Sequence, residues 1–336
     1  MLPPVRAFIT GCTGLRLTHE EREFMRSFNP WGLILFKRNV ADADQLIQLT
    51  REFRELVDRE DAPVLIDQEG GRVQRMGPPH WRKYPAAAAF SREGVTLEER
   101  ASLVRDGARL IAEDLRACGI NVDCLPVLDV PSPSGHDVIG DRAYGREPLT
   151  VAALGRAACE GLLSGNVLPV VKHMPGHGRA ESDSHLELPV VRASRSELEI
   201  DFEPFRMLKD MPLAMSAHVV YTAIDADNPA TTSPKVVREI IRDAIGYDGL
   251  VMSDDLHMKA LKGSFREKTE ALFAAGLDRA LDCHFDPSTA REVAQASPVL
   301  VGKRAERAAR ALALLRANLS PFDIASAQVR LGALMS

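Results

Sequence analysis

The chain has 336 residues, a net charge of −5 and a sequence pI of about 6.0, which excludes the strongly basic balance of proteins that bind the nucleic-acid backbone. Its five cysteines are odd in number and form no Cys-x-x-Cys pair, which argues against a disulfide framework or a zinc knuckle. Because the sequence shows no secretory signal pattern and no apolar run of roughly 20 residues, we expect a cytoplasmic protein without a membrane partner.

Short apolar runs recur along the chain, and helical patterns lie between them. Eight strands are predicted, at residues 5–10, 32–36, 64–67, 122–126, 168–172, 213–217, 250–253 and 279–283. Runs that are nearly continuous in apolar residues are typical of parallel strands covered on both faces. Four of the helical segments open with a capping box, in which Ser or Thr bonds an amide and Glu reaches back. The boxes are Thr18/Glu21, Thr96/Glu99, Ser194/Glu197 and Ser264/Glu267.

Eight strands that alternate with helices predict an α/β fold of the (β/α)8 TIM barrel type, with an open doubly wound sheet as the alternative. A dinucleotide-binding sheet would carry Gly-x-Gly-x-x-Gly after its first strand, whereas Gly11-Cys12-Thr13-Gly14 stands there. We expect one barrel domain over residues 1–336, with a C-terminal helical tail at about 304–336. We expect no cofactor, no resident metal and no nucleic-acid partner. We expect the protein to be a monomer.

Polar clusters follow five of the predicted strands. They lie at residues 67–72, in the loop from 129 to 142, at 172–173, at 216 and 218, and at 253–255. The catalytic groups of a TIM barrel lie at the C-terminal ends of its strands. Five clusters at corresponding positions therefore predict one convergent polar site.

The densest cluster is Lys172–Gly178, which is followed by Asp183-Ser184-His185. A proline and two glycines make this segment a loop that could move over a ligand. The spacing of Asp183 and His185 lets the carboxylate fix the imidazole tautomer, although a structural Asp turn beside a solvated His remains an alternative.

The adjacent residues Asp254 and Asp255 raise a separate question. On a regular strand only one of the two side chains can face the barrel mouth. The periodicity leaves open which one does.

Four segments that occur in this order resemble the signatures of glycoside hydrolase family 3. They are Asp67-Gln68-Glu69-Gly70-Gly71-Arg72-Val73-Gln74-Arg75, Lys172-His173-Met174-Pro175-Gly176-His177-Gly178, Asp183-Ser184-His185 and Ser253-Asp254-Asp255-Leu256. Within the family they are most similar to the single-domain bacterial β-N-acetylglucosaminidases of cell-wall recycling.

The resemblance implies a role for each matched residue. Asp254 would be the nucleophile that forms a covalent glycosyl-enzyme, and His185 would be the acid/base, oriented by Asp183. The terminal sugar would be held by Asp67, Arg75, Arg142, Lys172 and His173. The implied substrate is a small muropeptide or amino sugar, N-acetylglucosamine joined β-1,4 to anhydro-N-acetylmuramic acid with or without its peptide. Two displacements at the anomeric carbon would retain its configuration.

Two segments depart from the family's pattern. Leu256-His257-Met258-Lys259-Ala260 stands where many relatives carry a small polar residue and then Glu-Gly-Ala, and residues 141–144 differ from the commoner Arg-Ser-Phe form. Both lie beside the matched residues, so they leave the chemistry intact and the aglycone preference open.

Three other functions stay open from the sequence. A phosphorylase would use the same intermediate but release a sugar 1-phosphate. A metal-dependent hydrolase could draw its ligands from His173, His177, His185, Asp183 and Asp254, although no His-x-x-x-His helix motif is present, and a chelator would test it. A non-catalytic sugar-binding barrel would be excluded by turnover of an aryl N-acetylglucosaminide.

Overall fold

The structure is a computed structural model that describes residues 2–91, 94–132, 137–180, 188–316 and 319–334. Two of the predicted catalytic residues, Asp183 and His185, lie outside the described residues.

Eight parallel strands form a closed barrel, and each is hydrogen-bonded to its neighbours in chain order, with the eighth closing against the first. The strands are β1 (Arg6–Thr10), β2 (Pro30–Leu35), β3 (Val64–Ile66), β4 (Val122–Asp123), β5 (Leu168–Met174), β6 (Leu213–Ser216), β7 (Leu250–Asp255) and β8 (Arg279–Asp282). Every predicted strand overlaps one of them. The TIM barrel prediction is therefore confirmed.

Helices surround the barrel and follow its strands. They are α1 (His19–Phe28), α2 (Ala43–Val57), α3 (Leu97–Ala117), α4 (Pro148–Ser164), α5 (Glu199–Met207), α6 (Phe265–Ala275), α7 (Pro287–Ala296), α8 (Gly302–Ala313) and α9 (Ile324–Gly332). A π-type helix at Val236–Ala244 stands between β6 and β7. In the part of the chain that the structure describes, no helix combines the length and the apolar character needed to cross a membrane.

Alternation along the strands divides the apolar residues into two layers. Ile9, Ile34, Leu65 and Leu281 belong to the cluster that fills the barrel. Their neighbours along the strands, such as Phe8, belong to the cluster between the strands and the helices. Because side chains on a strand alternate with period two, a run buried on both faces supplies both layers.

Three of the four predicted capping boxes start a helix as expected, at α1, α3 and α6. The fourth also forms, since the Ser194 amide donates to Glu197 Oε2 at 2.8 Å, but α5 begins only at Glu199. The backbone bonds change from an i→i+4 bond at Leu198 to an i→i+3 bond at Asp201, which interrupts the regular helix.

The N-terminal end of the barrel is closed by α8. Ala308 and Ala311 of this helix pack into the apolar cluster that fills the barrel. Arg307 Nη1 lies 3.1 Å from Asp278 Oδ1, and Arg242 Nη2 lies 2.9 Å from Asp278 Oδ2. Helix α8 therefore covers this end of the barrel, and the polar clusters lie at the other end.

Candidate active site

A pocket of about 350 Å³ opens at the C-terminal ends of the strands. Six of the predicted site residues are described, and all six line it: Asp67, Arg75, Arg142, Lys172, His173 and Asp254. They come from β5, β7 and the loops after β3 and β4, which a barrel brings together at one face. The pocket therefore brings together four of the five predicted strand-end clusters, since neither Ser216 nor His218 is among its lining residues.

Lys172 is the centre of a charged network at the base of this pocket. Its Nζ lies 2.9 Å from Asp67 Oδ1 and 2.7 Å from Glu69 Oε1. Asp67 Oδ2 is also 3.0 Å from Arg75 Nη2. Arg142 donates from Nε and Nη2 to the two oxygens of Glu69, both at 2.8 Å. Three cations and two carboxylates thus form one connected array.

The array keeps its charges near neutral pH. Burial alone raises the pKa of Glu69, but Lys172 and Arg142 more than offset this and lower the pKa to about 2. The pKa of Asp67 is likewise held well below its usual range by Lys172 and Arg75, against the effect of burial. Although burial lowers the pKa of Lys172, the two carboxylates raise it above its ordinary value. A hydroxyl-rich ligand would find fixed donors and fixed acceptors here.

The His173 ring is held by Asp129, a fully buried carboxylate that follows β4. His173 Nδ1 lies 2.6 Å from Asp129 Oδ2. Asp129 Oδ1 accepts the His173 amide at 3.3 Å and the His177 amide at 2.7 Å. Burial raises the pKa of Asp129, but His173 more than offsets it and the pKa is lowered. Because the carboxylate accepts from Nδ1, the Nε2 edge of the ring is left for the pocket.

Asp254 is the last residue but one of β7 and lies half-buried in the pocket wall. Its Oδ1 accepts the Asp255 amide at 2.8 Å. Burial raises the pKa of Asp254, but the neighbouring His173 and His218 more than offset it and lower the pKa below its usual value. The side chain is therefore an ionised carboxylate at neutral pH, as a nucleophile must be.

Asp255 also lines the pocket, so the expectation that only one of the two aspartates faces the barrel mouth is wrong. The pairing of β7 with β8 shifts register between Met252 and Asp255, which breaks the regular alternation. The two carboxylates nevertheless differ, since Asp255 Oδ1 accepts the amides of His257 at 3.2 Å and Cys283 at 3.1 Å. Asp255 thus ties two loops together and also lies 3.6 Å from His284 Nε2 through its Oδ2, whereas the imidazoles that act on the Asp254 carboxylate are those of His173 and His218.

Three further side chains at the site were given no role by the sequence reasoning, namely Glu69, Asp129 and His218. His218 is buried, with Nδ1 at 2.8 Å from Thr231 Oγ1 and Nε2 at 3.1 Å from the Asp255 carbonyl. Burial lowers the pKa of His218, against the opposing effect of the nearby Asp254 carboxylate. Position at a strand end was the available signal for all three, but it could not separate a supporting group from a ligand-binding one.

The segment after β7 that differs from the family's pattern, residues 256–260, forms one side of the rim of the pocket. His257 Nε2 lies 2.8 Å from Asp282 Oδ1, and the His257 ring packs edge-on against His284. Met258 and His284 both line the pocket. Of the residues at 256–260 that differ from the family pattern, Met258 therefore lies in the pocket wall.

Among the described residues, no three His, Cys, Asp or Glu side chains are grouped so that they could hold a metal ion. The metal-dependent alternative also draws on Asp183 and His185, which fall in the undescribed segment. An activity assay in the presence of a strong chelator would test that alternative.

Comparison with known proteins places these features in a family. The family model described as "Glycosyl hydrolase family 3 N terminal domain" matches residues 5–309 of the chain. A protein named Beta-hexosaminidase from Methylococcus capsulatus is 39% identical over 282 residues, which cover 82% of each chain. One of the same name from Nitrosomonas eutropha is 38% identical and covers 87% of this chain and 83% of its own.

Among solved structures, NagZ from Neisseria gonorrhoeae in complex with N-trifluoroacetyl-D-glucosamine superimposes with a TM-score of 0.87. The identity is 32%, and the match covers 100% of this chain and 99% of that one. The likeness therefore extends over the whole barrel and both C-terminal helices.

Proposed function

Since the chain belongs to glycosyl hydrolase family 3 and is a glycosidase, we propose that it is a retaining exo-β-N-acetylglucosaminidase. Its substrate is N-acetylglucosamine joined β-1,4 to anhydro-N-acetylmuramic acid, with or without the peptide, in cell-wall recycling. The observation that carries the proposal is the Asp254 carboxylate in the wall of a pocket that the Lys172 network also lines. The names of the relatives, and the glucosamine derivative bound by the gonococcal protein, support the sugar.

The proposed reaction has two displacements at the anomeric carbon. Asp254 attacks C1, the bond from C1 to the leaving oxygen breaks, and that oxygen takes a proton from His185. A water then gives its proton to His185 and attacks C1, which releases the sugar and frees Asp254. The hydrogen bond from His185 to Asp183 stabilises the protonated ring that gives this proton, and the neutral ring that remains takes the proton back from water.

Binding of the terminal sugar falls to the network and to His173. Asp67 accepts hydrogen bonds from sugar hydroxyls, while Arg75, Arg142 and Lys172 donate to them. The free Nε2 of His173 accepts from a sugar hydroxyl, because the ring proton is held on Nδ1 by Asp129. A small pocket closed at its base by the packed barrel accepts a chain end better than a chain interior, which supports an exo mode of action.

Trapping of the intermediate tests the nucleophile. A fluorinated slow glycoside of N-acetylglucosamine should label the enzyme, and peptide mapping should place the label on Asp254. Asp255→Asn is the matched control, because it removes the neighbouring carboxylate and should leave the label in place if the protein folds. Label on Asp255 or on a glutamate would overturn the assignment.

The acid/base role of His185 has a separate test. His185→Ala should slow substrates with poor leaving groups much more than activated aryl glycosides, because only a poor leaving group needs the proton. Equal losses on both would contradict the role. Running the assay with and without phosphate separates the phosphorylase, since formation of a sugar 1-phosphate would replace hydrolysis as the reaction.

The same proposal includes a monomer that works in the cytoplasm, where recycled wall fragments would be met. Cell fractionation and sedimentation of the purified protein test these two points. Recovery of the native protein outside the cytoplasm would contradict the location.

A further inference from the structure

A second cleft, of about 460 Å³, borders the sugar pocket. Arg75 lines both, so the two cavities are neighbours across one side chain. The new cleft is lined by Lys37, His80 and Lys83 in addition to Arg75, and no acidic side chain among the described residues lines it. In a chain whose net charge is −5, this is a local concentration of positive charge beside the site.

The loop that carries Lys37 is fixed by its neighbours. Arg38 Nε donates to the Cys12 carbonyl at 3.0 Å, and Asn39 Nδ2 donates to the Gly14 carbonyl at 2.9 Å. Lys37 itself is exposed, and its ammonium group has no acidic partner within the described ranges. Its charge is therefore available at a defined place after β2.

The loop that carries Lys83 is fixed in the same way. Gln74 Nε2 donates to the Arg82 carbonyl at 2.6 Å, and Gln74 Oε1 accepts the Tyr84 amide at 2.9 Å. The Tyr84 hydroxyl donates to Asp114 Oδ2 at 2.6 Å. Both neighbours of Lys83 are thus tied down, while Lys83 is exposed and forms no ion pair with any described carboxylate.

Trp81 gives the cleft an apolar wall. Its ring is half-buried against the main core, and His80 packs edge-on against it. On the pocket side the Arg75 guanidinium lies 5.3 Å from the centre of the Phe36 ring. An amphipathic chain with carboxylates would meet cations and an apolar surface together in this cleft, which adjoins the sugar pocket at Arg75.

We propose that this cleft binds the carboxylates of the leaving part of the substrate, with Lys37 and Lys83 as specificity-determining residues. The inference rests on the proposed function, since it supposes that a sugar is held in the neighbouring pocket. It assigns the preferred substrate class as amino-sugar glycosides whose aglycone carries a negatively charged peptide.

The test compares two substrates on one set of variants. One is N-acetylglucosaminyl-β-1,4-anhydro-N-acetylmuramic acid that carries its acidic peptide, and the other is the neutral disaccharide of N-acetylglucosamine. The quantity measured is the ratio of their kcat/KM values in the native enzyme, in K37E/K83E and in K37Q/K83Q. The matched control is K209E/K303E, which makes the same charge change at exposed lysines in the chain before β6 and in α8.

Reversal of both charges should lower the ratio by about tenfold at low ionic strength, because each exposed pair is lost and replaced by a repulsion. The glutamine variant should give a smaller fall in the same direction. At an ionic strength of about 0.15 M the effect should shrink, since the Debye length is then ~8 Å.

Two failures are distinguishable. A native enzyme that releases N-acetylglucosamine from neither substrate overturns the proposed function. A native enzyme that is active on both, with a ratio that is unchanged in K37E/K83E or falls equally in K209E/K303E, overturns the role of the cleft alone.

Discussion

Replacement of Glu69 by Gln tests the charged network most directly. The Glu69 side chain is 4% exposed and carries the only carboxylate, among the described residues, that Arg142 contacts; it is shared with Lys172, which is 2% exposed. Without it, Arg142 would lose its carboxylate partner, and Lys172 would keep only Asp67 among the described carboxylates. A glutamine amide would also point a donor at groups that can only donate. E69Q therefore leaves buried charge without compensation.

The size of the effect follows from the lowered pKa of Glu69. The pKa falls from 4.5 to about 2, and each unit is worth about 1.4 kcal/mol, so the carboxylate contributes about 3 kcal/mol to the free energy of unfolding at neutral pH. Loss of one partner from a buried ion pair costs about 3–5 kcal/mol, which agrees. Because the folded pKa is depressed, this contribution is complete above pH 4.5 and is lost as the pH falls toward 2.

Equilibrium unfolding in urea at pH 7, repeated at pH values down to 3, measures both effects. At pH 7 the free energy of unfolding of E69Q should be about 3 kcal/mol lower than that of the native protein. On acidification the free energy of unfolding of E69Q should fall by less than that of the native protein. The control is Glu160→Gln, because Glu160 is 43% exposed and, among the described residues, pairs only with the exposed Arg105 at 2.6 Å. This variant should lose under about 1 kcal/mol of the free energy of unfolding. Equal losses in the two variants would refute the reasoning.

Three shorter predictions concern the loop after β5 and its support. Burial lowers the pKa of His177 to about 4. As the pH falls, this residue is therefore protonated in the unfolded chain before it is protonated in the folded protein, and stability should fall between pH 6.5 and pH 4. His177→Asn should flatten that part of a curve of Tm against pH. Gly178→Ala would place a Cβ 2.0 Å from a backbone carbonyl oxygen and should lower Tm by several degrees, whereas Gly14→Ala, which meets open space, should leave Tm unchanged. Asp129→Asn removes the charge-assisted bond to His173 and should lower kcat/KM on an aryl N-acetylglucosaminide about 10- to 100-fold; a change under about twofold would contradict that support.

The barrel could be predicted from the sequence because every strand is buried on both faces. Continuous apolar runs then mark the strands, and the regular order of strand and helix leaves few topologies. The ends of the strands can also be predicted, because polar residues directly follow the apolar runs. The pattern failed only where the backbone left its regular geometry, as at Glu199, where the helix begins later than its capping box.

The detailed site could be predicted only in part. Which residues reach the pocket depends on local register, and the shift before Asp255 brings in a side chain that strict alternation excludes. The role of Glu69 depends on contacts with Lys172 and Arg142, which are far away in the chain. Such pairings are a property of the closed barrel, and no local spacing encodes them.

The connectivity around Lys172 has a consequence for how this site can change over time. Lys172 contacts two carboxylates, and each of these holds an arginine, so removal of any member alters the partners of another. Substitutions within the set should therefore be strongly non-additive. Drift at one of these positions would be tolerated only with a compensating change at a second, and the five residues should be inherited together or exchanged in pairs.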